Sequence, residues 1–167
     1  MQQLFFRKEL ERGDWIVIIR QAISTDARSL TEIAFSSKAY WGYDQAFMEA
    51  CRDDLTVTEE QMEEKLFFVA EVEGEITGFY SLAVNGEEAE LSNMFISPAS
   101  IGKGIGKALW SHMINTAEHY RLVRVMIHSD PHAEEFYRKM GAQRCGEVAS
   151  SVFPGRFLPL LEVRLHK

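Results

Sequence analysis

Apolar positions along this chain change period twice. Trp15 to Ala22 (WIVIIRQA) is a continuous run rich in β-branched residues and predicts a buried strand. From Ala27 the spacing turns helical through Leu30, Ile33 and Ala34, with Asp26 placed to cap that helix. Tyr40, Trp41 and Tyr43 surround Gly42 in a predicted loop, and a second helical pattern centres on Phe47 and Met48. Thr58-Glu59-Glu60-Gln61 has the form of a capping box opening a short polar helix. The period then becomes that of strands. Phe67–Glu73 and Ile76–Val84 flank Glu73-Gly74-Glu75, and Asn85-Gly86 turns the chain into Ala89–Ile96, so three strands form an antiparallel meander. A helix over Lys103–Tyr120, a strand over Leu122–His128, a helix from Pro131 to Met140 and strands over Gln143–Val152 and Phe157–Leu165 complete the pattern. With no repeat, low-complexity segment or linker, the prediction is one mixed α/β (α+β) domain over residues 1–167, in which residues 1–14 form an N-terminal arm without an assigned role.

Composition narrows the function classes. A chain of 167 residues with 46% hydrophobic and 26% charged residues is ordinary for a globular domain and buries a core without disulfides or metals. The net charge of −7 argues against a nucleic-acid partner, which requires a basic face, and suits a cationic substrate. Cys51 and Cys145 lie far apart and match no metal spacing, so reduced thiols are expected. The apolar trio Leu4, Phe5 and Phe6 is broken at once by charge. Neither a signal peptide nor a membrane span is expected, and the expected location is the cytoplasm.

The most informative local feature is Ser97-Pro98-Ala99-Ser100-Ile101-Gly102-Lys103-Gly104-Ile105-Gly106-Lys107, between a predicted strand and a predicted helix. Glycines at 102, 104 and 106 clear side chains from a helix N-terminus, so backbone N–H groups can approach an anion, with Lys103 and Lys107 adding charge. A tight strand–helix connection without a ligand is the alternative. The spacing is neither that of a P-loop nor the G-x-G-x-x-G of a dinucleotide fold.

The stretch Leu91-Ser92-Asn93-Met94-Phe95-Ile96-Ser97-Pro98 with this glycine loop resembles motif A, [QR]-x-x-G-x-[GA], of the GNAT N-acetyltransferases. Gly104 and Gly106 fill the glycine positions, while Ile101 replaces the leading Gln or Arg. Asp130-Pro131-His132-Ala133-Glu134-Glu135-Phe136-Tyr137-Arg138-Lys139-Met140-Gly141-Ala142 is similar to the family's motif B, with Asp130 where Asn is common. As a bare helix, the same stretch is explained by Asp-Pro at its start, Ala133, Phe136 and Met140 on its apolar face and Gly141 at its end.

The resemblance implies a GNAT fold: a mixed, mostly antiparallel sheet with helices on both faces and a splay between the fourth and fifth predicted strands, Ala89–Ile96 and Leu122–His128. It implies an acetyl-CoA-dependent transferase in which a primary amine attacks the thioester directly in a ternary complex. Acetyl-CoA is then expected along Met94, Phe95 and Ile96, around Ile101, Gly102, Lys103, Gly104, Ile105, Gly106 and Lys107, and beside Asp130 and Tyr137. Tyr137 matches the family's general acid, its alternative being a packing role beside Phe136. Glu90, which two-residue alternation puts on one face with Ser92, is the expected base, directly or through water. Its alternative is membership of a solvated cluster with Glu87 and Glu88, and Glu71 and Glu73 are the next candidates.

The acceptor pocket is expected near Tyr40, Trp41, Ser92, Phe153 and Arg156. The expected acceptor is a small cationic amine, with a peptide or protein N-terminus as the alternative. His128 and His132 straddle a strand–helix junction and are not expected to hold a metal, and no metal is expected elsewhere. No His or Asp partnership singles out either cysteine as an acyl carrier. A non-catalytic acyl-CoA-binding protein is the rival function, and the resemblance admits a homodimer.

Overall fold

Strand pairing begins earlier in the chain than its long apolar runs suggest. The structure, a computed structural model, describes residues 6–9 and 15–166. Eight strands are described: β1 (Phe6–Glu9), β2 (Ile16–Gln21), β3 (Leu66–Val72), β4 (Glu75–Asn85), β5 (Glu88–Ile96), β6 (Arg124–His128), β7 (Gln143–Ala149) and β8 (Phe157–Arg164). They form one sheet in the order β1-β2-β3-β4-β5-β6-β8-β7, antiparallel at every pairing but β5–β6. Helices α1 (Ala27–Ala39), α2 (Gln45–Ala50), α3 (Arg52–Leu55) and α4 (Glu59–Glu64) precede the meander. Helix α5 (Ile105–His119) joins β5 to β6, and α6 (Glu134–Lys139) joins β6 to β7. The arm expected over residues 1–14 lies outside the described residues, apart from β1.

The sheet is covered on both sides because its strands alternate. In β4, Phe79 and Tyr80 are both fully buried on opposite faces. Phe79 joins Phe67 and Val69 beneath Leu30, Ile33 and Ala34 of α1 and Met48 of α2. Tyr80 and Leu82 join Val17, Ile19 and Leu91 beneath Leu109, Met113 and Ala117 of α5. Gly78 sets how closely α5 sits, since a Cβ there would lie 2.9 Å from the Phe95 carbonyl oxygen and 3.2 Å from Leu109 Cδ1.

Several local expectations change. Asp26 does not cap α1: its carboxylate accepts from the Ile23 N–H at 2.8 Å and pairs with Arg20, which also binds Glu71. A half-buried guanidinium between two carboxylates outcompetes a helix N–H for that acceptor. Helix α5 starts at Ile105 rather than Lys103, because Gly102 and Gly104 adopt positive φ of 80° and 86°.

The splay is present. Parallel pairing of β5 with β6 runs only from Glu88↔Arg124 to Leu91↔Ile127, and beyond it β5 pairs on its β4 side alone. At the same point the β4–β5 register steps from Leu82↔Leu91 to Ser81↔Asn93, leaving Ser92 as the extra residue of a β-bulge. The bulge resets the alternation, so two-residue spacing does not relate Glu90 to Ser92. Asn93, bonded to Ser81 Oγ at 2.7 Å, and Phe95 continue on the α1 side of the sheet.

Candidate active site

A cleft of about 1110 Å³ opens where β5 and β6 part. One wall consists of Leu91–Ile96, Ser100 to Gly102, Gly104 to Lys107, and Ala133, Phe136 and Tyr137. The facing wall carries Ser37, Lys38 and Trp41 from the end of α1, residues 53–57, and Ala149, Ser151 and Leu158 around the β7–β8 connection. Single small-molecule sites occupy about 300–1,000 Å³, so this cleft has room for an extended ligand and a second small one.

The first wall offers main chain. From Ser92 to Ile96, β5 has strand pairing on one side only. Gly102 and Gly104 line the turn, and the space that a Cβ would occupy at Gly102 is open to 4 Å. Gly106 has a different task. It lies within α5, and a Cβ there would come 3.3 Å from the Phe136 ring, so its small size seats α5 against α6. Ile101 and Lys107 line the cleft. Lys103 does not, its ammonium lying 5.8 Å from the centroid of the Trp15 ring.

Titratable groups gather at the floor. Tyr137 is 7% exposed, packs against Trp110 and Phe136, and its hydroxyl has no hydrogen-bond partner among the described residues. Burial, reinforced by the charge of Asp130, holds the phenol pKa well above its ordinary value, so it remains protonated at neutral pH. Glu90 and His128 stand together at the mouth of the splay, 3.7 Å apart and both well exposed. Beyond the expectation that it holds no metal, sequence spacing assigns His128 no role in the site. Parallel pairing across β5 and β6 brings it to Glu90, a contact that spacing along one chain does not reveal.

A model of the acetyltransferase (GNAT) domain family matches residues 26–151. The chain belongs to this family. In keeping with that, this GNAT N-acetyltransferase is 27% identical over 134 residues to the 5-NmdU N-acetyltransferase of Pseudomonas phage PaMx11, covering 79% of this chain and 91% of the relative. Two solved structures share its fold. A GCN5-related N-acetyltransferase from Rhodopseudomonas palustris superposes with a TM-score of 0.75 at 19% identity, covering 88% of this chain and 94% of the other. The PaiA N-acetyltransferase of Thermoplasma acidophilum, solved with coenzyme A, gives 0.72 at 18% identity, covering 89% and 99%.

Not every expected residue of the GNAT domain reaches the cleft. Tyr40 is 55% exposed and does not line it, whereas Trp41 does, stacked on His132 with ring centroids 5.1 Å apart. Phe153 and Arg156 are also absent from the lining. Phe153 stacks on Phe47, and Arg156 lies over the same ring while donating to Tyr43 Oη at 3.0 Å, so both are consumed in packing the connection they belong to. Ser92 lines the cleft within the bulge, and Glu71 lies in a separate hollow with Arg20 and Asp26.

Asp130 reaches the cleft, yet protein donors hold both of its oxygens: the Lys38 ammonium, Tyr43 Oη at 2.9 Å and the His132 N–H at 2.9 Å. Burial would raise its pKa, but Lys38, His132 and Tyr43 together hold it below the usual carboxylate value. Among the described residues no group of three or more His, Cys, Asp or Glu side chains is arranged to hold a metal, and no helix is long and apolar enough to cross a membrane.

Proposed function

We propose that the chain transfers the acetyl group of acetyl-CoA to a primary amine by direct attack within a ternary complex. The observation that carries this reading is the meeting, in one cleft, of an unpaired β5 edge, an open glycine turn and a buried, protonated phenol. Acetyl-CoA, when bound, supplies an activated acetyl thioester. The main chain of Met94, Phe95 and Ile96 has the unpaired groups to hold an extended amide-bearing arm in the manner of an added strand. The Gly102–Gly104 turn and the first turn of α5 offer N–H groups to a pyrophosphate, with Lys107 rather than Lys103 contributing charge. Those features fit the ligand, and the lost Gln or Arg at Ile101 leaves that work to the backbone.

Glu90 takes the proton that an alkylammonium must lose before attacking, directly or through a water, with His128 beside it to share the charge. The bulge at Ser92 takes a backbone group out of the β4 ladder, a donor for the negative charge that develops on the carbonyl oxygen. Tyr137 delivers a proton to the departing thiolate. The acceptor is a small cationic amine, supported by Asp53, Asp54 and Glu90 outnumbering Lys65 once Lys38 is set against its partner Asp130, and by the partly exposed ring of Trp41. The phage relative is named for a 5-NmdU acceptor, which is therefore included among the amines to be tested. Release of coenzyme A from acetyl-CoA in the presence of benzylamine, spermidine or 5-NmdU tests the reading. Turnover of at least one is expected, whereas tight coenzyme A binding without turnover of any of the three, or of a peptide N-terminus, favours the non-catalytic rival.

A further inference from the structure

The motif position filled by Asp130 commonly carries Asn, and the change alters what the side chain can do. An amide offers N–H donors to a ligand, whereas a carboxylate only accepts. Here the acceptor capacity is committed to the protein by Lys38, Tyr43 and the His132 N–H. The Lys38 and Asp130 side chains are only 15% and 14% exposed, so neither charge is left to solvent. The contact joins distant segments. Lys38 lies at the end of α1 and Asp130 between β6 and α6, 92 residues later. Tyr43 extends the contact by accepting from Arg156 of the β7–β8 connection. The acceptor wall is therefore tied from two directions to the segment that begins α6, the helix of Tyr137.

We propose that Lys38 and Asp130 form a positioning pair that fixes the acceptor wall against the Tyr137 helix, and that Asp130 is not a ligand of the acetyl donor. The proposal rests on the acetyl-transfer reading of the same cleft and adds a residue, Lys38, that neither motif contains. It also gives the departure at Asp130 a cause. A carboxylate is needed there because an ammonium from the opposite wall is buried against it, and breaking such a pair on one side leaves an uncompensated charge.

The test uses Lys38→Met, Asp130→Asn and the double variant, each measured for coenzyme A affinity by calorimetry, for kcat and KM with whichever of benzylamine, spermidine and 5-NmdU the parent acetylates, and for melting temperature. Each single change is expected to lower amine kcat/KM about 10–100-fold through misplacement of the acceptor, while coenzyme A affinity stays within about twofold. The double variant is expected to be no worse than Asp130→Asn, because removing Lys38 removes the charge left without a partner. A loss of coenzyme A affinity in Asp130→Asn as large as the loss in amine turnover would overturn the proposal, as would single effects that multiply in the double variant. Should the parent acetylate none of the three amines and no peptide N-terminus, the acetyl-transfer reading fails. The pair is then judged on coenzyme A affinity and on whether the melting-temperature losses of the singles add.

Discussion

Along β5 the cleft is bordered by a strand that pairs on one side only, and beyond it by the glycine turn, whereas Lys38, Trp41, Asp53 and Asp54 line it from across. The two walls therefore constrain sequence differently. A backbone wall needs only that nothing obstruct it, which Gly102 and Gly104 ensure by their conformation and Gly106 and Gly78 by their size. A side-chain wall holds its shape through specific partners, such as the Lys38–Asp130 pair and the stack of Trp41 on His132. Changes in the first wall are expected to affect acetyl-CoA first, and changes in the second the amine.

The largest effect is expected on the floor between the walls. Tyr137→Phe keeps the ring that packs on Trp110 and Phe136 but removes the proton donor, so the chemical step should slow by about 10²–10⁴-fold with coenzyme A affinity nearly unchanged. Single-turnover rates measure this, and an unchanged rate with chemistry limiting returns Tyr137 to a packing role. Next comes the backbone wall. Gly104→Asp places a carboxylate where phosphate is expected and should weaken coenzyme A binding about 100-fold or more by calorimetry. Gly104→Asn, which also tolerates the left-handed backbone at φ 86° but carries no charge, should lose less, and equal losses would assign the effect to bulk. The smallest effect is the salt dependence set by the charges of the acceptor wall. With a Debye length near 8 Å at about 0.15 M salt, kcat/KM for a cationic amine should fall only a few-fold between low and physiological ionic strength. A rise, or selective turnover of an anionic acceptor, contradicts the charge reading while leaving acetyl transfer intact.

The same division explains what could be read from the sequence. The meander, the glycine turn and the helix carrying Tyr137 announce themselves through local signals: Glu73-Gly74-Glu75, Asn85-Gly86, the glycines after Ser100, and Ala133 with Phe136 and Met140. Strand β1 escaped because Phe6–Glu9 is one apolar residue followed by three charged ones, with no strand period to read. The bulge at Ser92 escaped because a register slip depends on the partner strand rather than on β5 itself. The side-chain partners of Asp130 lie 92 and 87 residues away, so no spacing rule reaches them. Asp26 looked like a cap because short-range rules do not see Arg20 waiting on β2. Local chemistry is legible along one chain, but the partners that hold an acceptor wall are set by tertiary contact.

Hydrogen exchange of backbone amides with and without coenzyme A tests most directly whether the donor lies along the main-chain wall. Protection is expected to rise at residues 94–96 and at residues 102–107, with little change at residues 53–57 across the cleft. Protection confined to the acceptor wall, or appearing instead around the hollow of Arg20 and Glu71, would contradict the account.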